Sequence, residues 1–321
     1  MLFIQELNEG MKIGGIYLVK SKSAATTKNG KSYENVILMD RTGTVDCKIW
    51  EPDSPGIDDF DALDYVDIVG DVSRYNGSLQ VSLKRVRVAR EGEYNSADYL
   101  PTTDKNIDEM YKVLLGFIDK VENKYLNALL RRFLVEDEEL VKRFRSASAA
   151  KTIHHAFVGG LLQHTVYVTN LCYYFSRTYP ILNRDLLLTA AILHDIGKTA
   201  EISAFPQNDY TDDGQLLGHI MIGAEMIHDA AKEIEGFPAK LESDLKHCIL
   251  AHHGEYEYGS PKKPALAEAM ALNLADNADA RLETLSEIFK ANAQRPMDEW
   301  LGFNRIFESN IRRTGNIDEL K

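Results

Sequence analysis

The chain has 321 residues, 27% of them charged and 44% hydrophobic, with a formal net charge of −12. That length exceeds one ordinary core and suits two domains, while no apolar run reaches the ~18 residues of a membrane span. The opening MLFIQELNEG lacks a secretory apolar core, and Cys47, Cys172 and Cys248 lie too far apart for a disulfide framework, a Cys-rich zinc site or a redox pair. A reduced, cytoplasmic protein with no membrane partner is the expectation.

The charge is unevenly spread. Residues 1–100 carry 12 Lys and Arg against 16 Asp and Glu, residues 101–150 carry 9 of each, and residues 151–321 carry 16 against 24. All nine histidines fall between His154 and His253. A polyanion partner calls for a basic footprint, which the whole chain lacks. A segment rich in both histidine and carboxylate has the donors of a metal site.

In chain order, residues 1–92 read as five strands. IGGIYLVKSKS, SYENVILMDRTG and TVDCKIWE come first; after an acidic connection at 52–64, YVDIVGDVSRYNGSLQVSLKRVRVA holds two β-rich runs around Asn76-Gly77, a hairpin signal. A break between strands three and four suggests a Greek-key barrel of the OB type. Residues 93–150 form a linker and helical connector: Tyr94–Lys105 carries Pro101, and MYKVLLGFIDKV opens a helical period. Residues 151–321 continue as an all-α domain, with helices expected near 160–178, 184–196, 218–234, 239–253, 265–290 and 303–313. The fold class is therefore multidomain β plus α.

The sharpest signal lies in LLLTAAILHDIGK, where an apolar helix is expected to end in His194-Asp195, followed by Gly197 at the C-cap position and Lys198. A buried, unpaired Asp beside a His costs several kcal/mol, and a metal ion is one compensation. His164, His219, the His252-His253 pair and Asp276 also interrupt apolar helices or close them. A lone histidine of this kind is commonly a hydrogen-bonded core residue, and Asp276 could pair with Arg281. Five such interruptions in one domain without cysteine ligands argue for a shared purpose. Imidazole and carboxylate without thiolate suit Mn²⁺, Fe, Co or Zn better than Ca²⁺.

This order of His, His-Asp, further His and a late Asp resembles the HD phosphohydrolase superfamily. The resemblance implies one metal held by His164, His194, Asp195 and Asp276, and a second, bridged by Asp195, held by His219, His252 and His253. Asp195 and Lys198 would be the catalytic pair, Lys198 stabilising phosphate charge or protonating the leaving oxygen. Alternatively, Lys198 serves the helix C-terminus. His154 and His155 could contact phosphate or end a helix. His228 and His247 read as solvated, and Asp279, one turn from Asp276, as either an outer partner or surface.

OB surfaces bind single strands by stacking bases on aromatics beside a basic track. Tyr17, Tyr33, Trp50 and Tyr75 lie on or near strands, with Lys20, Lys22, Lys28 and Lys31 early and Lys84, Arg85, Arg87 and Arg90 late. These could equally fill and solvate the barrel. Lys142, Arg143, Arg145 and Lys151 could lead a strand toward the metals or form an exposed helix face. Barrel, connector and HD domain in this order, with HHAFVGGLLQHT, AAILHDIGK and ILAHHGE, resemble the YhaM-type 3′-to-5′ exoribonucleases over nearly the whole chain. The resemblance implies two divalent ions, Mn²⁺ foremost, and release of nucleoside 5′-monophosphates from single-stranded RNA, and of single-stranded DNA as a further substrate. It also implies a homo-oligomer. The competing readings are a hydrolase of small nucleotides or cyclic dinucleotides, which leaves the barrel without a task, and a non-catalytic RNA-binding protein, which leaves the ligand set without one.

Overall fold

The computed structural model describes residues 2–27, 30–95, 98–100, 102–150, 157–293, 295–296 and 299–314. Five strands, β1 (Lys12–Thr26), β2 (Ser32–Asp40), β3 (Gly43–Ile49), β4 (Tyr65–Tyr75) and β5 (Ser78–Val88), close into a barrel in the order β1-β2-β3-β5-β4. All neighbours are antiparallel except β3 and β5, which run parallel, and β4 returns to β1. This is the Greek-key closure expected of an OB barrel. Alternate residues face inward, as with Val36 and Leu38, Val66 and Ile68, and Val81 and Leu83, all buried. Asn76 and Gly77 both take positive φ, which the tight β4–β5 hairpin requires.

Tyr17 does not face solvent: it is fully buried in the barrel core, and its hydroxyl donates to the Leu2 carbonyl. A 3₁₀ turn at Ile4–Glu6 covers that end, with the Ile4 N–H donating to the Asp40 carboxylate at 2.6 Å. A small apolar joint connects barrel to helices. Leu18 of β1 packs with Tyr99 and Leu100 of the connector, joined by Val158 and Phe205.

The helical part begins with α1 (Ile107–Ile118), α2 (Lys124–Arg131) and α3 (Glu138–Ser146), whose Asn106, Asn123 and Asp137 side chains accept from first-turn N–H groups. It continues with α4 (Gly160–Thr178), α5 (Arg184–Leu193), α6 (Lys198–Glu201), α7 (Asp212–Leu216), α8 (Gly218–Lys232), α9 (Ala239–Ala251) and α10 (Ala267–Ala291). Helix α5 is buried from Leu186 to Leu193, as its nearly unbroken apolar sequence demands, and packs against α4, α9 and α10.

Two local expectations fail. The helix expected at 303–313 is a hairpin, β6 (Trp300–Asn304) with β7 (Ser309–Arg312). Gly302 at φ 95° and Glu308 at φ 48° are incompatible with a right-handed helix, and the Asn304 side chain takes the Ile306 N–H at 2.9 Å. The second is Gly197, which has helical dihedrals rather than a left-handed cap. Its need is for space: a Cβ there would lie 2.1 Å from the His219 carbonyl oxygen and 2.7 Å from Gly223 N. Among the described residues no helix is long and apolar enough to cross a membrane.

Candidate metal centre

Five helices converge on one buried cluster. His164 comes from α4, His194 and Asp195 follow the last turn of α5, His219 starts α8, His252 and His253 close α9, and Asp276 lies on α10. His194 and His252 are fully buried, and His164 and Asp195 nearly so.

The donors sort into two groups: His164, His194 and Asp276 in one, His219, His252 and His253 in the other, each with its candidate ligand atoms within 4.8 Å of one another. Asp195 stands between them. Its Oδ2 is 3.5 Å from His164 Nε2 and 3.4 Å from His194 Nε2, while its Oδ1 is 3.4 Å from His219 Nε2 and 3.7 Å from His252 Nε2. Asp276 Oδ1 lies 3.2 Å from His164 Nε2, so its partner is His164 rather than Arg281.

All five rings are held the same way round. Their Nδ1 atoms meet acceptors: Asp279 Oδ2 at 2.6 Å for His164, Ala191 O at 2.8 Å for His194, Glu201 Oε1 at 3.0 Å for His219, Ile249 O at 2.6 Å for His252 and Tyr258 O at 2.9 Å for His253. Nδ1–H donation to these groups leaves the Nε2 lone pairs facing inward. Gly254, at φ 83°, turns the chain after the His pair, and the Asn273 amide donates to the His252 carbonyl at 2.8 Å.

Three buried atoms in this cluster, Asp195 Oδ1, His219 Nε2 and His252 Nε2, have no hydrogen-bond partner among the described residues. Buried polar atoms are seldom left so, and a cation between them would satisfy all three. The protonation states agree. Burial opposes ionisation of Asp195, but Lys198 and His194 hold it well below the usual carboxylate range. Asp276 is likewise lowered against burial by His164. His252 is kept neutral by burial and by His253 and His194, and His253 is lowered by burial and His219. His164 is the exception: burial would lower it, yet Asp276 and Asp279 raise it to about 10. In that state a proton occupies a position that a cation would take.

Lys198 Nζ is 2.7 Å from Asp195 Oδ2, so it belongs to the cluster and does not merely serve the helix end. Burial disfavours its charge, but Asp195 keeps it protonated. Asp279 takes the outer-partner role. Glu201 was not singled out in the sequence: its carboxylate accepts from both Nδ1 and the backbone N–H of His219, and only its lone acidic place in the short GKTAE segment hints at this. His228 pairs with Glu242 at 2.6 Å, and His247 Nε2 accepts the Ala265 N–H at 2.9 Å, so neither is simply solvated. His154, His155 and Lys151 lie outside the described residues.

On the barrel, Tyr33 and Trp50 stack with ring centroids 5.2 Å apart, and Trp50 and Tyr75 are exposed. Many of the expected track cations are already engaged. Lys22 pairs with Glu34 at 3.2 Å, Lys84 with Asp71, Arg85 with Asp67 at 3.6 Å, and Arg87 with Asp67 and Glu93 at 3.4 and 2.9 Å. Lys28 lies outside the described residues. Arg143 is exposed on α3 and borders a small cavity with Thr199 and Phe205, not the one beside the metal donors.

Barrel, buried donor cluster and helical scaffold define an OB module joined to an HD-type domain, and the HD-domain family profile matches residues 161–281. An HD domain implies binding of divalent metal. The chain is 35% identical over 274 residues to the 3′-5′ exoribonuclease YhaM of Bacillus velezensis, covering 85% of this chain and 86% of that one. It is 35% identical over 281 residues to the protein of that name from Bacillus subtilis, covering 86% and 87%. The Geobacillus protein is 33% identical over 277 residues, covering 86% and 84%. The chain belongs to the YhaM family. A solved OB-fold domain of replication protein A from Methanococcus maripaludis aligns with 28% of this chain and 96% of that one, at 17% identity and a TM-score of 0.23. The barrel is of the OB type by its strand order, β1-β2-β3-β5-β4.

Proposed function

We propose that this protein is a metal-dependent 3′-to-5′ exoribonuclease that hydrolyses single-stranded RNA to nucleoside 5′-monophosphates. The observation that carries the reading is Asp195, whose two buried oxygens face two separate donor groups within a chain of the YhaM family. His164, His194, Asp195 and Asp276 hold one divalent ion, and Asp195, His219, His252 and His253 a second. Nitrogen and carboxylate donors without thiolate suit Mn²⁺, Fe, Co or Zn better than Ca²⁺, and the family resemblance puts Mn²⁺ first.

Ions held by these residues would supply Lewis-acid polarisation of the phosphodiester and a lowered pKa for the attacking water. Lys198, held as a cation by Asp195, stabilises charge on the phosphate rather than supplying the leaving group's proton. Asp279 and Glu201 orient His164 and His219. We assign residues 1–92 to RNA capture, with the Tyr33–Trp50 stack and Tyr75 as base platforms, residues 93–150 to a connector and residues 151–321 to hydrolysis. Single-stranded DNA is a secondary substrate. Exposed Tyr179, Ile181, Met270 and Leu274 form an apolar patch on the helical domain that supports a homo-oligomer.

The test is a 5′-labelled single-stranded RNA incubated with Mn²⁺ and resolved on a denaturing gel. A ladder shortening from the 3′ end, abolished by EDTA and by Asp195→Ala while RNA binding persists, is expected. Intact RNA alongside turnover of small nucleotides would overturn the reading.

A further inference from the structure

A cavity of about 450 Å³ opens beside the metal donors, within the range that small ligands occupy. His164, Lys198, His253 and Asp276 line it together with Asn277, Ala280 and Arg281 of α10. Lys198 is already engaged with Asp195 at 2.7 Å. Arg281 is exposed, and among the described residues it makes no ion pair or hydrogen bond. It is thus an uncommitted cation facing a cavity in a segment with 16 basic against 24 acidic residues. No partner among the described residues accounts for it.

Its place on the helix says what it can reach. Asp276 and Ala280 are one turn apart on the cavity side, as are Asn277 and Arg281. Five residues from Asp276 to Arg281 rise about 7.5 Å along the axis. Arg281 therefore meets a group one step beyond whatever the metals hold, and the small side chain of Ala280 leaves room between the two positions. Resting on the exonuclease reading, we propose that Arg281, with Asn277 beside it, is the subsite for the phosphate one nucleotide upstream of the scissile bond. A guanidinium suits that task because its planar fork matches two phosphate oxygens. Asn277 offers an amide donor and acceptor to the 2′-hydroxyl of the intervening ribose.

The probe is a pair of dinucleotides that differ by that phosphate alone: ApA and its 5′-phosphorylated form pApA. The wild type should prefer pApA in kcat/KM by about 10- to 100-fold, the worth of a charge-assisted contact. Arg281→Gln should reduce the preference to about twofold or less, and Arg281→Lys should restore part of it, keeping charge without the fork. Metal content should match the wild type in both variants, which a role in holding the metal centre together would not allow. A wild type indifferent to the 5′-phosphate, a preference that survives Arg281→Gln, or a variant that loses metal would overturn the proposal. Dissociation constants of both dinucleotides in EDTA give the same comparison without cleavage. A wild type that binds pApA through Arg281 but cuts neither probe would refute the exonuclease reading and leave the subsite standing.

Discussion

Gly197→Ala isolates the contact that sets α6 and the His-Asp turn against α8. Gly197 has φ −62° and ψ −21°, so alanine fits the backbone without strain. The only obstacle is the neighbour, since the new Cβ would sit 2.1 Å from the His219 carbonyl oxygen. Restoring ordinary van der Waals separation requires the start of α8 to recede by about 1 Å or more. Overpacking of this kind costs roughly 1–3 kcal/mol, and a backbone obstacle that cannot rotate aside places the variant near 3 kcal/mol. For a domain of this size that lowers Tm by about 6–12 °C. Because the displaced residue is His219, which faces Asp195 Oδ1, metal content should fall by about one ion per chain where the parent holds two. Thermal unfolding in EDTA gives the first quantity, and elemental analysis of the Mn²⁺-loaded protein gives the second. Gly116→Ala, in α1 with open space around its Cβ, is the control and should gain about 0.5–1 kcal/mol. A Gly197→Ala variant with parental Tm and full metal content would refute the reasoning.

Removing the outer carboxylates by Glu201→Gln or Asp279→Asn should weaken metal affinity by about 10- to 100-fold while leaving the fold intact, as read by competition with a chelating dye and by circular dichroism. Trp50→Ala should weaken single-stranded RNA binding by about 1–3 kcal/mol in fluorescence anisotropy without altering metal content. Metal binding should release a proton from His164, whose imidazolium is favoured up to about 10 by Asp276 and Asp279 after burial is overcome. Raising the pH below that value removes a competitor, so apparent affinity should rise with pH. Calorimetry in buffers of different ionisation enthalpy would detect the released proton.

Most of the barrel was readable from alternation and from Asn76-Gly77, because a strand with one buried face writes its register into the sequence. Tyr17 shows the limit: alternation tells which residues share a face, but a tyrosine fits inside a barrel when a carbonyl such as that of Leu2 takes its hydroxyl. The histidines and aspartates stood out as polar interruptions in apolar helices. Glu201 did not, since an acidic residue on a four-residue helix has no periodicity to violate. At 303–313 the apolar spacing imitates a helix, while the positive φ at Glu308 that makes a hairpin leaves no mark in residue type. At Gly197 the residue type suits a helix end, but the obstacle that requires it comes from α8, beyond any local pattern.

The anchoring of five imidazoles through Nδ1 bears on how the centre acquires its ions. Each ring is fixed by a carbonyl or carboxylate of the protein, so its orientation is settled when the chain folds and little ordering is left for the arriving ion. Such a prebuilt cage captures metal quickly and deforms little to discriminate between ions of similar radius. Intrinsic affinity across the first-row divalent metals follows a common order that nitrogen and oxygen donors do not invert. The identity of the resident metal is then decided by the free concentrations in the cell, and a shift in that supply changes which metal is loaded without any change in the polypeptide.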